Sequence, residues 1–316
     1  MSFALLALVA LQCQAAVNWS NDTRLPSGGD PVARLLRIAG DATQSSETRR
    51  ESLLDLQEEV EDVDDARRID FDVVIDCLAE PRLRSAAAWV IGTAAANQRG
   101  LQLRALDALA PLLNIVGDAT ADEAVRAKAL FAASALLRCC PEAQWLLYSD
   151  RSHADAVNEA LAGPPRVARK ALVLAADLLH EFLAARRAEA SGRAEYDGLK
   201  HDTRPPSPLW PNATREAGPR LCFAAAAALE GAYADKALQA LKVALAAGFL
   251  DGDAAGCRRT TVPAALDRLR RDCAVDDDAW CADLLVVVDE LSSDLASGVR
   301  PEGRFVSSES HFHLEL

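Results

Sequence analysis

Aromatic side chains make up only 5% of this 316-residue chain, although half of its residues are hydrophobic. A β-rich core leans on aromatic and β-branched residues. A chain this poor in aromatics, and in which Ala and Leu are so frequent, points instead to helices packed on helices. Positive charge is also in deficit: 34 Lys and Arg stand against 47 Asp and Glu, a net charge of −13. That balance argues against a nucleic-acid binder, which needs a Lys/Arg face for the phosphates. The apolar run Phe3 to Leu11 is nine residues long, too short to span a bilayer. No C-x-x-C pair occurs among the eight cysteines.

Signatures of chemistry are missing too. The chain has no P-loop, no G-x-G-x-x-G and no G-x-S-x-G. The stretch HEFLA from His180 opens like a zinc-protease helix, but Ala184 stands where the second His must be, so a metal would lack a ligand. DGDAAGCRRTTV begins like a calcium loop with Asp251, Asp253 and Gly256, yet Ala255 and Val262 replace two required oxygen ligands. His311 and His313 alone make no metal site, and Asp276 to Asp278 read as capping residues before Ala279. The expectation is a protein that is not an enzyme, with no catalytic residue, no cofactor and no metal.

What is there begins with a leader. Phe3 to Leu11 suits a signal-peptide core, and Cys13-Gln14-Ala15 places small residues for cleavage after Ala15. Three of the six Asn begin sequons, at Asn18, Asn21 and Asn212, and these are the expected glycosylation sites. The end, His313-Leu314-Glu315-Leu316, resembles the H-D-E-L retrieval signal. Together these features predict residence in the endoplasmic reticulum lumen, with no membrane insertion after cleavage. Cys77, Cys139 and Cys140 fall in helical segments as buried or partly buried thiols. A bridge among Cys257, Cys273 and Cys281 is compatible with the compartment, its connectivity open.

Three stretches repeat at a fixed distance. Leu83 to Ala95, Val125 to Leu137 and Val167 to Leu179 read LRSAAAWVIGTAA, VRAKALFAASALL and VARKALVLAADLL, each 42 residues after the last. A period of this length is the mark of a helical solenoid, in which one unit cannot bury its apolar side alone. The fold expected is all-α, a right-handed armadillo-like solenoid of about four repeats with flanking capping helices. The boundaries expected are a signal peptide over 1–15, a flexible glycosylated leader over 16–45, a repeat domain over 46–298, and a polar tail over 299–316. Five prolines from Pro205 to Pro219 mark an exposed insertion at about 190–217.

Winding the repeated helix at 100° per residue separates two faces. Val125, Ala129, Ala132, Ala133 and Leu136 form the expected core side. Ala127, Lys128, Phe131, Ser134, Ala135 and Arg138 form the other. The same columns hold Ser85, Trp89 and Thr93 upstream, then Arg169, Lys170, Val173 and Asp177 downstream, and Gln239 further on. The residues expected on a concave partner-binding face are therefore Ser85, Trp89, Thr93, Lys128, Phe131, Arg138, Arg169, Lys170, Asp177 and Gln239.

AAAWVIGTAAANQ, VRAKALFAASALLR with CCPEAQWLLY after it, and VARKALVLAADLL are similar to the armadillo-repeat nucleotide-exchange factors of heat-shock-70 chaperones. The leader, the sequons and the HLEL end make the sequence most similar to the lumenal branch that serves BiP. The resemblance covers residues 46–182 closely and 218–298 loosely; Val90-Ile91-Gly92-Thr93 with Asn97 is its most specific phrase. It implies that the concave face grips one lobe of the chaperone's nucleotide-binding domain, holds the cleft open and lets ADP leave. The expected partner is then a BiP-type chaperone, bound by a monomer. The alternative is a lumenal armadillo adaptor that holds another protein or a peptide in its groove. Peptide-binding armadillo grooves pair Trp with Asn at i and i+4, whereas the pairs here are Trp89/Thr93, Phe131/Ala135 and Val173/Asp177.

Overall fold

The computed structural model describes residues 30–190, 210–229, 234–246, 248, 250, 254–274 and 279–297. Among these, every regular element is a helix. Contacts divide the chain into an N-terminal unit running to Ala171 and a C-terminal unit that holds residues 172–190 and 211–297. The single repeat domain expected over 46–298 is thus two units, with the division inside one long helix.

The N-terminal unit opens with α1 (Pro31–Gly40) and α2 (Ser46–Glu59). Three triplets follow along the chain: α3 (Val63–Ala66), α4 (Phe71–Cys77) and α5 (Arg84–Ala95); α6 (Arg99–Arg104), α7 (Leu109–Gly117) and α8 (Glu123–Leu137); then α9 (Pro141–Ser149), α10 (Arg151–Ala160) and α11 (Pro165–Ala190). Side-chain caps define many of the starts. Asp30, Ser45, Asp62, Asp70 and Asp150 each accept a backbone N–H from the first turn of their helix, satisfying a donor that the helix leaves without a partner. The third helices form one row, α2 on α5 and α5 on α8, while α1 packs on α4 and α7 on α10.

The ends of the repeated helices show the period in the backbone. Asn97 and Cys139, 42 residues apart, both adopt the left-handed conformation, with φ of 57° and 53°. Each closes a third helix, after Ala95 in α5 and after Leu137 in α8. At the next equivalent position, Glu181, α11 is still helical and runs on to Ala190, and there the period is lost.

Two boundaries expected from the sequence move. The stretch taken as a leader to residue 45 contains α1, whose Val32, Leu35, Leu36 and Ala39 are buried. Those residues recur at helical spacing and have α2 and α4 to pack against. The insertion expected over 190–217 ends early, because α12 (Trp210–Ala228) is already helical at Trp210 and carries Pro219 within it. Asn212 stands in its first turn. Asn18, Asn21, the leader run, the middle of the insertion and the HLEL tail lie outside the described residues.

The C-terminal unit continues with α13 (Ala234–Ala246), a π-helical turn over Cys257–Thr261, α14 (Val262–Cys273) and α15 (Ala279–Ser297). Disulfides join Cys222 to Cys257 and Cys273 to Cys281. Cys77 and Cys140 are buried free thiols, while Cys139, expected as a thiol, is disulfide-bonded. No described helix is long and apolar enough to cross a membrane.

Candidate partner-binding site

The site is built from the third-helix row of the N-terminal unit. Within α8 almost everything is buried: Ala127, Ser134 and Ala135, placed on the outer face by the helical wheel, are 5%, 7% and 7% exposed. Val125, assigned to the core, is only half-buried. The reason is the number of neighbours. A helix inside a solenoid meets α5 on one side and α7 on another, so two faces at 180° describe it poorly. What stays accessible is a narrow strip with Lys128, Phe131 and Arg138, all half-buried.

Along that strip, cations and rings alternate. The ammonium of Lys128 sits over the Trp89 ring at 3.2 Å from its centroid, and stands 6.0 Å from the Phe131 ring. Lys170 reaches the same Phe131 ring from the start of α11, at 5.3 Å. Cation–π pairs of this kind contribute about 0.5–2 kcal/mol each, more when water is excluded. Gly92 sets the spacing. A Cβ there would stand 2.4 Å from Phe131 Cε1 and 3.1 Å from the Ala132 Cα, so only glycine lets the ring lie against α5.

The strip is electrostatically loaded. Burial pushes the Lys128 ammonium down from 10.5 to about 8, helped by the positive charges of Lys170 and Arg166. Lys170 is likewise pushed down, by burial first and then by Arg169, Arg138 and Arg166. Arg126, in contrast, is buried for a structural purpose: its Nε donates to Val116 O at 2.9 Å, at the end of α7. Arg84 does the same to Leu78 O at 3.1 Å, and Arg49 to Ala39 O at 2.7 Å. In all three an arginine of a third helix caps the C-terminal carbonyls of an earlier one. Buried Gln102 spans the end of α8, donating from Nε2 to Ala135 O at 2.7 Å and Arg138 O at 2.8 Å.

Residues 70–189 match the family model of the SIL1/FES1/HPBP1 C-terminal domain. The chain is also 30% identical over 198 residues to the Hsp70 nucleotide exchange factor FES1 of Mycosarcoma maydis, over 60% of this chain and 50% of that protein. Residues 70–189 are thus similar to this family. The chain spans half the length of the curated relative it matches. Among solved structures, an engineered protein superposes with a TM-score of 0.55 at 16% identity, over 84% of this chain and 97% of that one. The designed armadillo repeat protein YIII(Dq.V1)4CPAF, solved with the peptide (KR)4, does so at 0.53 and 13%, over 82% and 98%. A computationally designed armadillo repeat protein gives 0.52 and 14%, over 82% and 99%. These likenesses establish the all-α, armadillo-like solenoid fold.

Of the residues expected on the binding face, the matched stretch contains Ser85, Trp89, Thr93, Lys128, Phe131, Arg138, Arg169, Lys170 and Asp177. The N-terminal unit brings Trp89, Lys128, Phe131 and Lys170 together, with Arg138 and Arg169 close enough to act on Lys170. Ser85 and Thr93 are half-buried on α5. Asp177 and Gln239 belong to the C-terminal unit, where Asp177 is half-buried on α11 and Gln239 is exposed on α13. Sequence reasoning missed Arg166, although it precedes Lys170 by four residues and so shares its helix face.

Proposed function

We propose that this chain is a nucleotide-exchange factor for a heat-shock-70 chaperone of the BiP type, acting as a non-enzymatic co-chaperone in the endoplasmic reticulum lumen. The observation that carries the reading is the SIL1/FES1/HPBP1 C-terminal domain over residues 70–189, within which the ladder from Trp89 to Lys170 lies. Such a factor needs no nucleotide site of its own. It has only to bind the open, ADP-poor chaperone more tightly than the closed one. Linkage makes the effect reciprocal: a coupling of about 1–3 kcal/mol, roughly 5–150-fold, is lost from both affinities.

The deciding experiment is stopped flow with labelled ADP on BiP. The purified chain should speed ADP loss while neither binding nor hydrolysing ATP, and should bind nucleotide-free BiP more tightly than BiP with either nucleotide. An unchanged ADP off-rate at saturating chain would leave the adaptor reading in place. The groove itself speaks against a peptide adaptor, since half-buried Thr93 and buried Ala135 stand where Asn amides would hold a peptide backbone.

The lumenal assignment is supported by the Phe3–Leu11 run, the three sequons and the HLEL motif. The Cys222–Cys257 and Cys273–Cys281 disulfides suit an oxidising compartment. Expressed in its own cells, the protein should lose mass on treatment with a high-mannose-specific endoglycosidase, and removal of His313 to Leu316 should increase its secretion. An unglycosylated cytosolic protein would end the lumenal assignment.

A further inference from the structure

The ladder carries a charge opposite to that of the chain. Residues 84–95, 123–137 and 165–171, the parts of α5, α8 and α11 that frame it, hold Arg84, Arg126, Lys128, Arg166, Arg169 and Lys170 against one carboxylate, Glu123. The whole chain has a net charge of −13, so this local excess is not a matter of composition. Arg84 and Arg126 are engaged in capping earlier helices. Glu123 is engaged as well, its Oε1 accepting the backbone N–H of Arg166 at 2.9 Å. Among the described residues neither Lys128 nor Lys170 has an ion-pair partner; each rests on an aromatic ring instead.

This arrangement works against the free protein. Half-buried ammonium groups sharing one ring repel each other and lose water, which is why both are pushed toward the neutral form. A carboxylate beside them would relieve them, and the one in these stretches, Glu123, is engaged with the Arg166 backbone. An anion from outside the chain would recover the lost stabilisation. A flat apolar partner would not, because the ammonium of Lys128 covers the Trp89 ring that such a partner would need. The face that a partner meets is therefore cationic, with the aromatics serving as its backing.

We propose that the ladder receives carboxylate side chains from an acidic patch on a folded partner protein, one of them held jointly by Lys128 and Lys170 beside the Phe131 ring. The identity of that partner as a chaperone rests on the exchange-factor reading; its acidic chemistry does not. Charge complementarity of this kind steers encounter and makes affinity fall with salt.

The proposal also fixes a pH dependence. Around Lys128, α11 presents Lys170 and Arg166, and α5 presents Trp89. On its own helix Glu123 and Arg126 are engaged, and Asp118 after α7 is held by Thr120 and lies 3.8 Å from Arg84. With its midpoint near 8, below the ordinary 10.5, Lys128 is charged in the free protein at pH 7 and mostly neutral at pH 9. A bound carboxylate raises it again, so binding at pH 9 takes up a proton and is weaker. One pH unit above the midpoint leaves about a tenth of the lysine charged, which sets the loss from this group at roughly tenfold.

The test uses the full chain with two probes, a purified nucleotide-free BiP nucleotide-binding domain and a labelled peptide of alternating Asp and Glu, read by anisotropy. Affinity for both should fall between 50 and 400 mM NaCl and between pH 7 and pH 9. Lys128→Met with Lys170→Met should cost about tenfold or more at low salt, with helicity by circular dichroism unchanged. Lys128→Arg should keep the affinity at pH 7 and shrink the pH step, leaving only the share of Lys170. Acidic peptide bound without any chaperone binding would uphold the ladder and end the exchange-factor reading. Chaperone bound with equal affinity by wild type and the double Met variant would overturn the ladder and leave exchange standing. A lysine peptide or an oligothymidine bound as tightly as the acidic peptide would also overturn it.

Discussion

Gly92 shows how much one missing methyl group decides. Glycine inside a helix costs about 1 kcal/mol relative to alanine, so on propensity alone Gly92→Ala should stabilise α5. The packing opposes this. The added Cβ would meet Phe131 Cε1 at 2.4 Å and Cδ1 at 2.6 Å, and the Ala132 backbone at 3.1 Å. The Phe131 ring is the nearest obstacle and is packed in place, and overpacking of this sort costs about 1–3 kcal/mol. The expected net effect of Gly92→Ala is destabilisation by about 1–2 kcal/mol in chemical denaturation. Trp fluorescence should shift as well, because Phe131 and the Lys128 that stacks on Trp89 are displaced together. Adding Phe131→Leu should recover most of the stability while the ladder stays lost. A more stable Gly92→Ala protein would show that α5 and α8 do not meet at this point.

At the scale of the helix, the 42-residue period legible in the side chains is present in the backbone, where Asn97 and Cys139 close two successive third helices. Arg84 and Arg126 hold the same place in the repeated stretches, but that match does not reveal their purpose. The carbonyl that Arg126 caps lies ten residues upstream on another helix, and spacing along one helix cannot show it. Gln102 escaped notice for the same reason, since its two acceptors end a helix more than thirty residues downstream. The outer face was read too broadly, because burial of Ala127, Ser134 and Ala135 depends on how many helices surround α8. Trp89 and Phe131, expected on the partner-binding face, are half-buried with a lysine over each ring. The first helix could have been found. Asp30-Pro31 supplies a cap and an N1 proline, and Val32, Leu35, Leu36 and Ala39 follow at helical spacing. The sequons at Asn18 and Asn21 just before it point instead to an exposed leader.

On the scale of the whole molecule, the two units are held together by different means. The N-terminal unit repeats its caps and fills its row with Leu53, Leu56, Ile91, Leu130 and Leu136, all fully buried. The C-terminal unit buries many small residues, among them Ala225, Ala226, Ala234, Ala237, Ala240 and Ala244, each of which removes little apolar surface from water. There the buried Cys222–Cys257 disulfide closes a separation of 35 residues. A cross-link over such a span stabilises by about 2–4 kcal/mol, largely by restricting the unfolded chain in the usual account. Replacing both cysteines by serine should therefore loosen the C-terminal unit selectively. In hydrogen exchange, amides of residues 221–229 and 262–273 should exchange faster, while those of 86–95 and 129–137 keep their protection. Circular dichroism at room temperature should change little, and the loss should emerge on heating. Equal acceleration in both units would mean that the chain opens as one cooperative body, and unchanged exchange throughout would mean that the alanine-rich packing suffices without the bond.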